Sequence, residues 1–567
     1  MLRNVLAPIA ALLALAGCAT VPPAETGTDS VGAVSAADPR AQEAGMAMLR
    51  RGGSATDAAI ATMLALTVVE PQSSGIGGGG FMVRGAADGT VETFDGRETA
   101  PAGAMPDWFL SPDGTVPPFG ESVKSGLSVG VPGNIALAAL AHDQHGRLPW
   151  ATLFEPAIEL ARKGFRINPR LNGSLTSTAE RAGWTETGRA LFFDDAGRPQ
   201  PAGHLVVNEE LARTFEAIAA AGPAAFYEGP RAEALAATVA AETPRKGAMT
   251  AADLAAYEAK EREAVCGTYR AYRICGMGPP SSGGIAVLQI LGQLERFDLS
   301  ALGAENPVTW HLFLESQRLA YADRELYIAD SDFVSVPVQG LLEPDYLARR
   351  SALIDPDSTI EAVVAGVPAG ASTALADGDE PEERGTSHFA VVDADGTMIS
   401  YTSTIESAFG SGLMTGGFFL NNELTDFSRS PDIDGRPVVN RVEAGKRPRS
   451  SMSPMVVWDP QGRPVLAIGA AGGSTIPVQT ARSIIGVIDF GLGAEAALGM
   501  PFVMAYGDNV TVEDGTWLEG AIPQLKALGH DEIAVREAGV KANAVLRRGD
   551  RWVPARDPRV EAKLILP

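Results

Sequence analysis

The sequence predicts an α+β fold of four layers, helix–sheet–sheet–helix, and three features carry that prediction. In "HFAVVD", His388 to Asp393, both faces are apolar: Phe389 and Val391 on one side, Ala390 and Val392 on the other. A strand of this kind has to be covered on both faces. The run "ATDAAIATMLALTVV" after Ser54 is apolar nearly all round, which predicts a helix with no face left for water. Further strand-like runs, "EAVCGTYRAYRICG", "TMISYTST", "PMVVWDP" and "PVLAIGAAGG", are interspersed with helical periodicity in "PWATLFEPAIELARKG" and "VTWHLFLESQRLAYADRELYI". A chain of 567 residues has the length of several domains, but one large layered core can absorb it.

The amino terminus, "MLRNVLAPIAALLALAGCAT", has one early Arg, an apolar segment too short to span a bilayer, and small residues before a cysteine. That is the layout of an export signal over residues 1–17. Leu15-Ala16-Gly17-Cys18 is similar to a bacterial lipobox, which would place a lipid on Cys18 in the periplasm or at the cell surface, the alternative being an ordinary secretory signal with an incidental cysteine; Ala19 in place of Asp points to the outer membrane. The following Pro-, Thr- and Gly-rich stretch predicts a flexible tether over residues 18–36. A formal net charge of -23 argues against nucleic acid as a partner, because phosphate neutralisation needs clustered Lys and Arg.

Ser54-x-x-Asp57 is a capping signal for the buried helix. Gly75 to Gly80 then formally matches G-x-G-x-x-G, but the nucleotide motif follows a strand and opens a helix. Here the order is reversed, so a nucleotide site is not expected. His142 and His145 lie one helical turn apart and are expected to be solvated. Cys266 and Cys275 close "CGTYRAYRIC", whose alternation predicts two short paired strands carrying either a disulfide or two buried thiols; no metal-ligand spacing surrounds them. Leu353 to Arg384 is rich in Asp, Glu, Gly, Pro and Ala, and reads as an exposed, poorly ordered loop. It ends at a hairpin, "GTSHFAVVDADGTMISYTST", with its turn at Asp395-Gly396.

The catalysts most readily sought in a sequence are missing: there is no H-E-x-x-H and no G-x-S-x-G. A threonine hydroxyl inside a chain is a weak nucleophile. An amino-terminal threonine brings its own base, an α-amine of pKa near 7.7–8.0 already positioned beside the hydroxyl. Cleavage at Gly385-Thr386 would make Thr386 such a residue, and a mobile segment abutting a buried strand is a workable place to cut.

The motifs "EPQSSGIGGGGFM", "DGRETAP", "PPSSGG", "GTSHFAVVDADG", "LNNELTDFS", "KRPRSSMSP" and "GAAGGS", in this order, resemble the γ-glutamyltranspeptidases, which are N-terminal nucleophile hydrolases. The resemblance spans nearly the whole mature chain. It implies the αββα sandwich of that fold type, formed jointly by two fragments of one precursor: 37–385 the large subunit, 386–567 the small catalytic one, together a heterodimer. It implies Thr386 as the self-cleaving nucleophile and Thr404 as the hydroxyl that assists it. Gly472 and Gly473 would hold the oxyanion through their backbone amides. Arg97 would grip a substrate α-carboxylate with help from Ser450 and Ser451, and Glu423 and Asp426 would hold the α-ammonium. Taken alone, Arg97 could be a surface ion pair with Glu98 or Asp95, and the two acids solvated loop charges. No cofactor and no metal are implied. The substrate is a small γ-glutamyl peptide, glutathione by default, whose acyl group passes to water or to an amino acid or peptide amine.

Two departures from the family pattern stand out. Glu406 occupies a position where many members carry Asn, adding a third carboxylate or else pointing to solvent. The stretch "SRSPDIDGRPVVNRVEAGKRP" has no aromatic residue after Phe427, so a reduced or differently built lid is expected. The alternatives are a glutaryl-type acylase of the same family and an inactive surface lipoprotein. Retention of Thr386, Thr404, Arg97 and the glycine pair argues against the last.

Overall fold

The computed structural model describes residues 31–372, 374–378 and 385–566. The export signal, Cys18 and most of the expected tether therefore lie outside the described residues. Two six-stranded antiparallel sheets form the centre. The first runs, edge to edge, Gly32–Ala36, Ser387–Asp393, Met398–Thr404, Gly79–Gly85, Val91–Asp95 and Lys260–Arg262. The second runs Arg551–Arg556, Lys541–Arg548, Pro464–Ala471, Met455–Trp458, Tyr272–Gly276 and Val265–Tyr269.

The two faces of the Ser387–Asp393 strand are divided as its sequence requires. Phe389 and Val391 join Met82, Ile399 and the buried side chains of the Pro39–Arg50 and Ala55–Val69 helices. Ala390 and Val392 face the second sheet, whose far side carries the Gly283–Leu294, Pro307–Tyr327 and Ile476–Ile488 helices. The result is the four-layer α–β–β–α order. Polar groups also cross between the sheets: Asn543 donates to the His388 carbonyl at 2.9 Å, and Ser400 donates to the Ile468 carbonyl at 2.9 Å.

Every residue of the Ala55–Val69 helix is buried, and Ser54 and Asp57 form the reciprocal capping box. The glycine run that follows leads into a strand, so its order is helix, turn, strand. Cys266 and Cys275 sit opposite each other on adjacent strands and are joined by a disulfide. Among the described residues no helix is long and apolar enough to cross a membrane.

Three expectations are corrected. The tether does not extend to residue 36: Gly32–Ala36 is a fully buried edge strand paired with Ser387–Asp393. Its small Gly, Ala and Ser side chains look like linker, yet they let the strand slot against the Asn543 amide and the Ala555 carbonyl, both engaged by Ser35. The stretch after Leu353 has neither helix nor strand through residue 372, but its first half is a strap bound across the Pro307–Tyr327 helix. Ile360 N donates to Glu315 at 2.7 Å, Gly366 N to Asp323 at 2.8 Å, and His311 Nε2 bonds the Asp355 carbonyl at 2.7 Å. The histidines of the Asn134–His145 helix are engaged rather than solvated: His142 Nε2 lies 2.9 Å from the Leu148 carbonyl, and His145 3.1 Å from Glu92.

Candidate active site

Thr386 precedes the first residue of the central strand, and Thr404 is the last residue of the neighbouring one, so the hairpin brings their hydroxyls together. Their oxygens are 3.3 Å apart. Thr404 donates to the Gly385 carbonyl at 2.9 Å, and the Thr386 hydroxyl lies against that same carbonyl. Thr404 in turn accepts the Glu406 amide at 2.7 Å. The carbonyl before Thr386 is thus polarised by one hydroxyl and touched by another, an arrangement suited to attack on the Gly385–Thr386 bond.

Gly472 and Gly473 form the turn between the Pro464–Ala471 strand and the helix that begins at Ile476, with φ of 129° and 59°. Both are values that a side chain resists, which explains the glycines. Gly472 and Thr386 line one cavity of about 700 Å³, together with Gln72, Ser73, Arg170 and Lys541.

Arg97, Glu423, Asp426, Ser450 and Ser451 do not line that cavity. They form a second, fully buried cluster. The resemblance implies Arg97 and the two acids at opposite ends of a substrate; here the Arg97 guanidinium pairs directly with both Glu423 and Asp426. It also donates to the carbonyls of Pro448 at 3.1 Å and Arg449 at 2.8 Å, which places it immediately before Ser450. Ser281 and Ser282 of "PPSSGG" fix that segment: Ser282 Oγ donates to the Ser450 carbonyl at 2.7 Å and Ser281 to Met452 at 2.5 Å. Ser451 Oγ accepts from Arg324 at 2.8 Å. The surface ion pair and the solvated loop charges are therefore both excluded by burial.

Glu406 does not point to solvent. It is buried, held by the Asn422 amide, and burial raises its carboxyl above the usual range despite the hydrogen bonds from Ser407 and Asn422. Asn422 also accepts the Ser407 amide at 2.9 Å and directly precedes Glu423. A continuous path therefore joins the two clusters, from Thr386 through Thr404, Glu406 and Asn422 to Glu423. Within the stretch after Phe427 the structure has a two-residue-per-strand hairpin, Asp432–Ile433 with Arg436–Pro437.

Several residues of the site carry no signal in the local sequence. Glu98, beside Arg97, is fully buried with one carboxylate oxygen 4.0 Å from the Arg97 guanidinium; burial, opposed by Arg97, pushes its carboxyl up to about 8. Lys541 reaches the Thr386 carbonyl, Ser387 at 3.2 Å and Glu70 at 3.4 Å. Glu70 also takes Arg170 and the Ser387 hydroxyl. Burial, with Arg170 nearby, drives the Lys541 amine well below its ordinary value. No local pattern marks a lone Lys at the start of "KANAVLRR" or a lone Glu at a helix end. Among the described residues no group of three or more His, Cys, Asp or Glu is placed to hold a metal ion.

Comparison with known proteins finds matches over most of the chain. Residues 41–566 match the family model described as gamma-glutamyltranspeptidase. The chain is 39% identical over 511 residues to a glutathione hydrolase proenzyme of Bacillus subtilis, covering 88% of this chain and 85% of that protein. It is 36% identical over 542 residues to the glutathione hydrolase proenzyme of Escherichia coli, covering 93% and 90%. The crystal structure of a cephalosporin acylase from Bacillus halodurans superposes with a TM-score of 0.81 at 26% identity, over 95% of this chain and 97% of that one.

Proposed function

The chain belongs to the gamma-glutamyltranspeptidase family, and on that premise we propose that it is an exported enzyme that cuts itself at Gly385-Thr386 and then transfers γ-glutamyl groups through an ester on Thr386. The observation that carries this reading is the Gly385 carbonyl, held by Thr404 and touched by the Thr386 hydroxyl. Attack of Thr386 Oγ on the Gly385 carbonyl carbon forms the C–O bond and expels the Thr386 nitrogen. Water then hydrolyses the ester, leaving a Gly385 carboxylate and a free Thr386 amine.

That amine, with an ordinary pKa near 7.7–8.0, takes the hydroxyl proton in the second reaction. Oγ attacks the γ-carbonyl of the donor while the Gly472 and Gly473 amides receive the oxyanion, each such donor being worth about 2.7–4 kcal/mol. The proton passes to the departing amine, and water or an acceptor amine resolves the ester. The proposed donor is a γ-glutamyl peptide such as glutathione, as the names of the relatives suggest. Its ammonium would meet Glu423 and Asp426 and its α-carboxylate Arg97, exchanging the internal ion pair for two external ones. Leaving one buried partner of such a pair uncompensated costs about 3–5 kcal/mol, so a donor lacking the α-amine is rejected.

Intact mass and amino-terminal sequencing of wild type beside Thr386→Ala test the first step. Wild type gives two fragments, one beginning at Thr386, and the variant a single chain; an active wild type that stays whole contradicts the reading. A γ-glutamyl anilide against a glutaryl anilide tests the second, and preference for the glutaryl compound favours an acylase, as in the cephalosporin acylase neighbour. Lipidation of Cys18 and residence at the outer membrane complete the proposal; labelling with a radioactive fatty acid, lost in Cys18→Ser, checks the first, and separation of inner from outer membranes checks the second.

A further inference from the structure

The buried lysine behind Thr386 has no part in the reaction just described, although it touches the nucleophile's own residue. Its backbone and its side chain are anchored to different parts of the site. The Lys541 amide donates to Gln479 Oε1 at 2.9 Å, and Gln479 Nε2 donates to the Ala471 carbonyl at 2.9 Å and to Thr475 at 2.8 Å. Ala471 is also the strand partner of Lys541 and the residue before Gly472. The Lys541 main chain is therefore fixed to both sides of the glycine turn. Its Nζ donates to the Thr386 carbonyl.

We propose that Lys541 is a positioning residue, a strut that sets the Thr386 hydroxyl and amine against the glycine turn in the cut enzyme. The inference rests on Thr386 being the nucleophile. Once the Gly385–Thr386 bond is broken, Thr386 stays attached to the chain only through its carbonyl carbon. A hydrogen bond to that carbonyl oxygen fixes the plane of the Thr386–Ser387 peptide, and with it the direction in which the Thr386 Cα, amine and hydroxyl project. Without it the residue gains rotational freedom at the point where a displacement of about 1 Å costs on the order of a hundredfold in rate.

The strut has its own support. A buried amine needs partners for its hydrogens, and beside the Thr386 carbonyl Glu70 supplies one at 3.4 Å. Glu70 is held at the carboxyl end of the Ala55–Val69 helix and braced from its other oxygen by Arg170, whose guanidinium also donates to Ser73 at 3.2 Å. Arg170, Glu70 and Lys541 thus run in line to the nucleophile's carbonyl from the helical layer, while Gln479 runs to the glycine turn from the opposite helical layer.

The test measures turnover of a γ-glutamyl anilide by full-length Lys541→Met, normalised to the amount of chain cut at Thr386, beside wild type and Thr386→Ala. Loss of the strut lowers kcat by about ten- to a hundredfold, with KM within about twofold, because the α-amino acid end of the donor binds in the other cluster. Ethylammonium added to Lys541→Ala restores part of the lost kcat, a rescue that a merely structural lysine does not give. Unchanged kcat per cut chain, or a fall that follows the melting temperature without rescue, overturns the proposal. If the Lys541 variants do not fold, Glu70→Gln, which keeps the shape but removes the counter-charge, carries the test: a smaller loss of kcat at constant KM supports the strut and no loss overturns it. A Thr386→Ala chain that still cuts or turns over defeats the nucleophile reading itself. A silent Thr386→Ala beside a fully active Lys541→Met defeats only the strut.

Discussion

A glycine is required at position 385 by contact rather than by backbone angle. A Cβ added there would lie 1.9 Å from the Glu406 carbonyl oxygen, a contact that cannot exist without moving one of the two segments. Glu406 cannot easily yield, because its φ is already 71°, a strained value for a residue with a side chain, and its amide is bound to Thr404. Gly385→Ala must therefore shift the carbonyl that Thr386 attacks in the proposed self-cleavage. Appearance of the 386–567 fragment, followed on a gel over time, should slow by about tenfold or more; cutting at the wild-type rate would show that this packing does not set the attack geometry. Thr404→Val separates shape from chemistry at the same place. It keeps the β-branched volume but removes the hydroxyl donated to the Gly385 oxygen at 2.9 Å. Loss of a preorganised donor of this type costs about 10²–10³ in rate, and the same time course reads it.

Among the secondary elements, the buried helix behind the central strand shows what a short sequence signal can and cannot convey. Ser54 and Asp57 announce a capping box, and losing the Ser54 side chain should cost about 1 kcal/mol. The structure gives Asp57 a larger task than capping. Its Oδ2 accepts the amides of Ser54 at 2.8 Å, Arg147 at 2.9 Å and Leu148 at 3.1 Å, tying the helix start to the distant loop after His145. Asp57→Ala leaves three amides without their acceptor and should cost about 2–4 kcal/mol in urea melts, clearly more than Ser54→Ala; equal losses would reduce Asp57 to a local cap. The capping box was legible because it lies within four residues of sequence, and the Arg147 contact was not because nothing local encodes it. The same boundary recurs elsewhere. The two-faced "HFAVVD", the all-apolar helix and the facing cysteines carry their environment in their own spacing. The Gly32–Ala36 strand lacks the bulk that marks a strand, and the strap from Asp355 to Gly366 is held by main-chain groups that any sequence would supply. In the site, Thr386 and the glycine turn were visible through whole motifs. The direct pairing of Arg97 with Glu423 and Asp426 and the reach of Lys541 to Thr386 depend on segments more than 150 residues apart.

At the scale of the whole molecule, buried histidines make stability depend on acid. His530 follows the Trp517–Ala527 helix and meets His311 of the Pro307–Tyr327 helix at 2.8 Å, and the other nitrogen of His311 holds the strap at Asp355. Three separate segments thus converge on two imidazoles. Burial, with His311 and Arg318 adding to it, pushes His530 down to about 3, against about 6.5 in an unfolded chain. Between those values the unfolded chain binds a proton that the folded one refuses, so the contribution of His530 is whole above pH 6.5 and is lost as pH falls toward 3. The slope is about 1.4 kcal/mol per pH unit. Burial pushes His388, in the central strand, down to about 3 as well, adding a second such term, while Glu98, pushed up to about 8, has the opposite sign and offsets one of them between pH 6.5 and about 4.5. The total therefore hides the individual contributions, and a comparison of variants separates them. His530→Gln keeps an amide near the His311 ring but cannot take the proton. From pH 7 to pH 5 the wild type should lose about 2 kcal/mol more than His530→Gln in urea melts, since every other titrating group is common to both. If the two stability curves instead run parallel across that interval, His530 takes up its proton in the folded state, and the packing of the strap, the helix and the His530 turn is looser than the contacts at His311 indicate.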